Sequence, residues 1–177
     1  AKVQADIPGS TIMVIWEGTR PILAEVQALA TPNYTGTNPR RVAVGIDQAR
    51  LAMILAVLQR HCQIKTYDKD IFINVVGGLK VNETAADLAM AMAIISSIYD
   101  RAIPSSQVFF GEIGLGGEVR PVRSGVERVA ECAKHGFTDI IMSESNITKQ
   151  SKCSASVHGF KNIGSIINHF FQKVVEK

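Results

Sequence analysis

The sequence predicts an α/β fold of the α+β type, in which a mixed sheet carries helices packed against it. Strand-like runs near the start pair through a tight turn, whereas later strands alternate with helical runs. That change of rhythm implies antiparallel and parallel pairings within one sheet. The stretch from Thr84 to Tyr99 is apolar on nearly every side and belongs at the centre of such a fold. Bulk composition agrees: 177 residues, 46% apolar and 20% charged, suit one compact domain that buries roughly 70% of its unfolded surface.

Each element follows from its own residues. Thr11–Glu17 and Pro21–Ala30 are apolar runs joined at Gly18, which predicts a β-hairpin. Residues 31–40, rich in Pro, Asn and Gly, form an exposed loop. After a short strand at Arg41–Gly45, apolar residues at Ile46, Ala49, Met53 and Val57 predict a helix to Cys62, with Asp47 at its start. Asp70–Val76 reads as a buried strand and Thr84–Tyr99 as the central helix. Gln107–Leu115 and Glu118–Val122 predict a second hairpin turned at Gly116-Gly117. A helix over Gly125–His135 stops at Gly136, a strand follows at Asp139–Met142, Asn146–Ser156 is a polar loop, and Asn162–Val175 is a final amphipathic helix.

Charge and motifs exclude several function classes. Nineteen Lys and Arg against sixteen Asp and Glu leave +3, too little to announce nucleic-acid binding without clustering. The longest uncharged apolar run, Leu88–Tyr99, is about half a membrane span, and no secretory signal opens the sequence, so a cytoplasmic protein without membrane contact is expected. Cys62, Cys132 and Cys153 lack CxxC spacing and suit reduced thiols. His61, His135, His158 and His169 have no metal-ligand register, so no metal site is expected. Gly111–Glu118 matches neither GxGxxG nor a phosphate-binding loop, and its glycines suit a turn. Ser96 and Ser97 suit bonds back to their own helix carbonyls, and Asp87 suits a helix start, with backbone amides within its reach. The basic residues Arg20, Arg40, Arg41, Arg50, Lys80 and Arg120 stand at strand ends, in loops or on a polar helix side, where they can converge on phosphates. Tyr34 is the only aromatic in the 31–40 loop, so backbone contacts are expected to outweigh base stacking.

Four motifs, GSTIMVIWEGTRPILAEVQALAT, GGLKVNETAADLAMAMAIISS, FGEIGLGGEVRPV and RVAECAKHGF, together resemble the C-terminal domain of the bacterial RadA/Sms recombination and repair proteins. They cover about residues 9–145 in the family's order. That domain is related to the proteolytic domain of Lon, so the resemblance implies a Lon-like fold of the ribosomal protein S5 domain 2 type. It also implies a domain over residues 11–177, preceded at 1–10 by a linker from an upstream ATPase. Lon-type peptidases use a Ser–Lys dyad; laid over this sequence, the serine position falls on Ala85 and the lysine position on Val126. A methyl cannot attack a carbonyl and an isopropyl cannot take a proton. Ser124 and Lys80 lie nearby but outside the dyad positions.

The resemblance therefore implies a non-catalytic module of an ATP-driven DNA branch-migration protein, serving hexameric ring assembly and DNA backbone binding. Arg20, Arg41, Arg50, Lys80 and Arg120 are then the expected phosphate contacts, and a RecA-type recombinase is a further expected partner. ATP, magnesium and zinc belong to the longer family proteins. The zinc-finger cysteines and phosphate-binding loop are missing from this sequence, so no cofactor is expected here. A purely structural oligomerisation domain, with arginines paired to carboxylates such as Glu17, Glu25 and Glu83, is the competing expectation; an active Ser–Lys peptidase is the enzymatic one.

Overall fold

A computed structural model describes residues 6–148 and 153–175. The strands are β1 (Ser10–Glu17), β2 (Arg20–Pro32), β3 (Arg41–Val44), β4 (Lys69–Val75), β5 (Gln107–Phe109), β6 (Glu112–Ile113), β7 (Val119–Arg120), β8 (Asp139–Ser143) and β9 (Ser156–Phe160). The helices are α1 (Gln48–Cys62), α2 (Asp87–Tyr99), α3 (Gly125–Lys134) and α4 (Ile163–Val175). A 7-stranded sheet has the order β3-β4-β2-β1-β5-β8-β9. β2 alone runs against the others, antiparallel to both β1 and β4, while the remaining pairings are parallel. The mixed α/β fold expected from the sequence is therefore present.

Alternation along β1 and β2 divides the core. Met13, Ile15, Ala24, Val26 and Ala28 face α1, α2 and α4, whereas Ile12 and Val14 face α3 with Val108, Val129 and Ile140. α2 lies at the centre, with every side chain from Leu88 to Ile95 buried. Each Leu, Ile or Met there contributes about 1.5–3 kcal/mol of burial free energy. α1 begins where Asp47 accepts the Ala49 N–H at 3.0 Å, a side-chain cap for an otherwise unpaired donor. The exposed edge of β3 is covered by Gln48, whose amide accepts from Ala43 N and donates to Arg41 O.

Several sequence expectations are corrected. The second hairpin is much shorter and does not begin at Gln107. β5 joins the large sheet beside β1 and β8, the chain turns at Phe110-Gly111, and only Glu112–Ile113 pairs with Val119–Arg120. Of the two turn glycines, only Gly117 is left-handed, at φ 83°. The polar loop ends in a strand, because Ser156–Phe160 pairs parallel with β8; residues 149–152 of that loop lie outside the described residues. Thr84–Ala86 form a 3₁₀ turn before α2. Ser96 and Ser97 do not bond back to helix carbonyls. The Ser96 hydroxyl accepts from Gly9 N at 2.9 Å and donates to Arg101 O, and that of Ser97 accepts from Ala30 N at 2.9 Å. Buried hydroxyls thus tie α2 to its neighbours. Residues 1–5 of the expected linker lie outside the described residues.

Candidate functional site

Because β1, β3, β4, β5 and β8 run parallel, the loops after their carboxyl ends gather on one side of the sheet, the usual place for ligands in open α/β sheets. The segment 76–84 crosses this end. Gly77 and Gly78, at φ 89° and 73°, make an exposed bend, and Val81 N then bonds Gly45 O at 2.7 Å. The 3₁₀ turn follows, with Ala85 O accepting from Gly111 N at 2.9 Å.

Two clefts flank this segment and share Asn82, Glu83 and Thr84. The first, about 500 Å³, lies toward α1 and is lined by Asp47, Arg50, Lys80, Asp87 and Met90. The second, about 440 Å³, is walled by Ala85, Pro121, Val122, Arg123 and Arg128. The positions that resemblance gives to a serine and a lysine therefore hold a buried methyl and a half-buried isopropyl on the first turn of α3.

Each cleft contains an ion pair made inside the chain. Asp87, 2% exposed, accepts from both Arg50 Nε and Arg50 Nη2, and from Ile113 N at 3.0 Å. Burial pushes the Asp87 carboxyl above its ordinary range, while the Arg50 guanidinium and the Ile113 amide pull it back; the same hydrogen bonds hold the guanidinium's pKa up. Arg128, fully buried, donates to Glu83 Oε1 at 2.7 Å and Oε2 at 3.0 Å, to Val14 O and to Arg123 O. Glu83 also accepts from Trp16 N at 2.9 Å, so one carboxylate joins β1, the 76–84 segment and α3. A single Arg–carboxylate fork of this kind fixes orientation as well as distance.

The residues expected at phosphates fall into distinct settings. Arg20 at the β1–β2 turn and Lys80 on the first cleft are exposed and, among the described residues, make no ion pair. Arg50 is held by Asp87. Arg120, 57% exposed, shares its charge between Glu112 at 3.5 Å and Glu118 at 3.3 Å. Arg41 lies at the opposite end of the sheet, opening β3, where its guanidinium donates to the Lys69 and Thr66 carbonyls and burial lowers its pKa. The five residues are thus not gathered into one patch. Among the suggested carboxylate partners, Glu83 binds Arg128 and Glu25 accepts from Ser10 and Gln27. Sequence reasoning missed Arg128 and Arg123. Arg128 could have been found as a cation on the face of α3 that carries Val129 and Cys132, whereas nothing marked Arg123.

Other expected sites stay simple. Burial pushes the Cys62 thiol up to about 11 and Cys132 to about 12, so both remain protonated near neutral pH. Among the described residues no group of three or more His, Cys, Asp or Glu side chains can hold a metal ion, and no helix is long and apolar enough to cross a membrane.

Comparison with known proteins agrees with the motifs. The family model described as subunit ChlI of Mg-chelatase matches residues 41–146. The DNA repair protein RadA of Escherichia coli K12 is 51% identical over 162 residues, covering 92% of this chain and 35% of that protein. RadA of Pseudomonas aeruginosa is 48% identical over 97% of this chain and 38% of its own length, and that of Streptococcus pneumoniae is 44% identical over 79% and 33%. The chain thus spans about a third of the length of the curated relatives it matches. It belongs to the family of that ChlI model, and the resemblance to RadA carried by its four motifs extends over most of the chain.

Proposed function

We propose that this chain is a non-catalytic Lon-like module of a RadA-type DNA repair and recombination protein, and that it binds the DNA backbone at the carboxyl end of its sheet within a ring-shaped assembly, a hexamer. The observation that carries the reading is the set of unpaired cations around a groove with no nucleophile: Arg20, Lys80 and Arg123 are exposed and make no ion pair among the described residues, while Ala85 and Val126 stand at the dyad positions. Unpaired surface cations release counterions when they meet phosphates, which paired ones do only at the cost of their partners. Arg50 and Arg41 then serve the fold, and Arg120 contributes weakly. ATP hydrolysis, magnesium, zinc and contact with a RecA-type recombinase fall to the remaining part of the longer protein, in the cytoplasm.

A second reading, an assembly scaffold without DNA contact, draws on a bare apolar sheet face at Leu29, Phe72 and Val42. Fluorescence anisotropy of labelled DNA across a salt series, with light scattering on the same samples, separates the two. Lys80→Glu and Arg20→Glu each weaken binding about tenfold and flatten the salt slope by about one, without change in assembly. Assembly with no binding at low salt rejects the DNA reading.

A further inference from the structure

Trp16 is the chain's single tryptophan, and its position is not explained by the core alone. It follows the buried Val14 on the outer side of β1 and is half-buried at the strand's end. One side of its ring meets the guanidinium of Arg128, 5.9 Å from the ring centroid, and that arginine is fully buried. The solvent exposure of the indole therefore belongs to its other side and edge. Its polar handle is already used, since Nε1 donates to Gly18 O at 3.1 Å, and its backbone N–H is held by Glu83. What remains for a partner is a flat aromatic face, fixed in place before anything binds.

Next to it, through Arg128 and Glu83, lies the second cleft. Its walls combine apolar Ala85, Pro121 and Val122 with polar Asn82 and Thr84, and its volume of about 440 Å³ is in the range of small-ligand sites. Arg123 stands on its rim, exposed and without an ion pair among the described residues. The loop that carries it is rigid: Asn146 accepts from Val122 N and donates to Val122 O, both at 2.9 Å. A fixed aromatic face, an apolar-walled cleft and a free guanidinium match the parts of one nucleotide whose base is unpaired: ring, sugar and phosphate.

We propose that this cleft is a subsite for single-stranded DNA, in which Trp16 stacks on an unpaired base and Arg123 takes the adjoining phosphate. The inference rests on the DNA-binding reading above and adds to it a preference for unpaired strands. Base–aromatic stacking is tolerant of sequence, so a strand moving through the site keeps its hold at each step.

The lone tryptophan is its own reporter. With excitation where tyrosine does not absorb, oligothymidylate is titrated into the full chain and compared with a duplex of equal length. Saturable quenching by the single strand, weakened by salt and much smaller with the duplex, is the expected result. Trp16→Leu, which keeps an apolar cover over Arg128 but has no aromatic face, loses about tenfold in affinity by anisotropy, whereas Trp16→Phe stays within about threefold of the parent. Arg123→Ala weakens binding and lowers the salt slope by about one. Salt-dependent binding with no quenching, or with Trp16→Leu unaffected, overturns the subsite and leaves backbone binding standing. Equal quenching by duplex also overturns it, as does equal quenching by an oligoglutamate peptide, which points to an acidic peptide instead. Absence of binding to either form of DNA overturns the underlying reading together with the subsite. Should Trp16→Leu fail to fold, parent quenching and Arg123→Ala still decide.

Discussion

At the scale of single residues, the contrast between Arg50 and Lys80 separates structural charge from available charge. Both line the first cleft, yet Asp87 occupies the Arg50 guanidinium through a two-pronged contact while Lys80 reaches solvent unpaired. Removing Arg50 leaves a nearly fully buried carboxylate with only the Ile113 amide. Arg50→Ala is therefore expected to cost about 3–5 kcal/mol in denaturant unfolding at neutral pH. The pH dependence has a definite sign. A carboxyl whose folded pKa lies above its unfolded value contributes stability below the unfolded value and loses it as pH rises through the folded one. Burial already pushes Asp87 in that direction, and loss of Arg50 pushes it further. The variant is thus closest to the parent at low pH and falls behind as pH rises; Arg50→Ala with Asp87→Asn recovers part of the loss. A deficit constant across pH shows that Asp87 is not the group left stranded. In DNA-binding assays Arg50→Glu then reads out unfolding, whereas Lys80→Glu reads out contact.

At the scale of elements, local patterns carried much of the architecture and failed where distant partners decide. The hairpin at Gly18, α1 with its Asp47 cap, α2 and α3 were legible because periodicity, caps and turn residues sit within each segment. β9 was not: Ser-Val-His-Gly-Phe is short, only half-buried and mixed in polarity, and β8 makes it a strand. The split of the predicted second hairpin hinges on Gly111, which bonds the turn before α2 and so pulls the chain out of the sheet. The ion pairs join residues 37 and 45 positions apart, beyond any local pattern. Ala85 and Val126 were readable as dyad positions through resemblance alone. Gly45 shows how an element junction depends on close approach. At φ +88° an added Cβ meets Leu79 O at 2.6 Å and Val75 Cβ at 2.8 Å, whereas Gly77, at φ +89°, opens onto free space. Gly77→Ala carries only left-handed strain, about 1–2 kcal/mol. In Gly45→Ala overpacking adds about 1–3 kcal/mol to the same strain. Paired thermal melts check the order, and equal losses refute the packing account.

At the scale of the whole molecule, the sheet is covered unevenly, and that asymmetry bears on assembly. α1, α2 and α4 cover one face, but on the other α3 reaches only the β1–β5–β8 half. Across β2, β4 and β3 the register sets Leu29 beside Phe72 and Phe72 beside Val42, with Gln27, Asn74 and Val44 in the next row. Leu29 is 57% and Val44 55% exposed, and the Arg40 guanidinium lies 5.6 Å over the Phe72 ring, a partial cover. Exposed apolar rows of this kind on a sheet mark association surfaces more often than scattered single residues do. Lysine at such positions is solvated in the isolated chain, so Leu29→Lys with Val44→Lys is expected to change unfolding free energy by no more than about 0.5 kcal/mol per site. In an assembly that buries this face the same charges are desolvated without partners, which is costly. The expected outcome is an unchanged melting temperature together with loss of concentration-dependent light scattering. Because these positions lie away from the strand ends that carry Lys80 and Trp16, single-strand affinity per chain is retained in the same variant. Scattering that persists at the parent's level removes this face from the assembly, and a large drop in melting temperature shows that the face is packed within the chain.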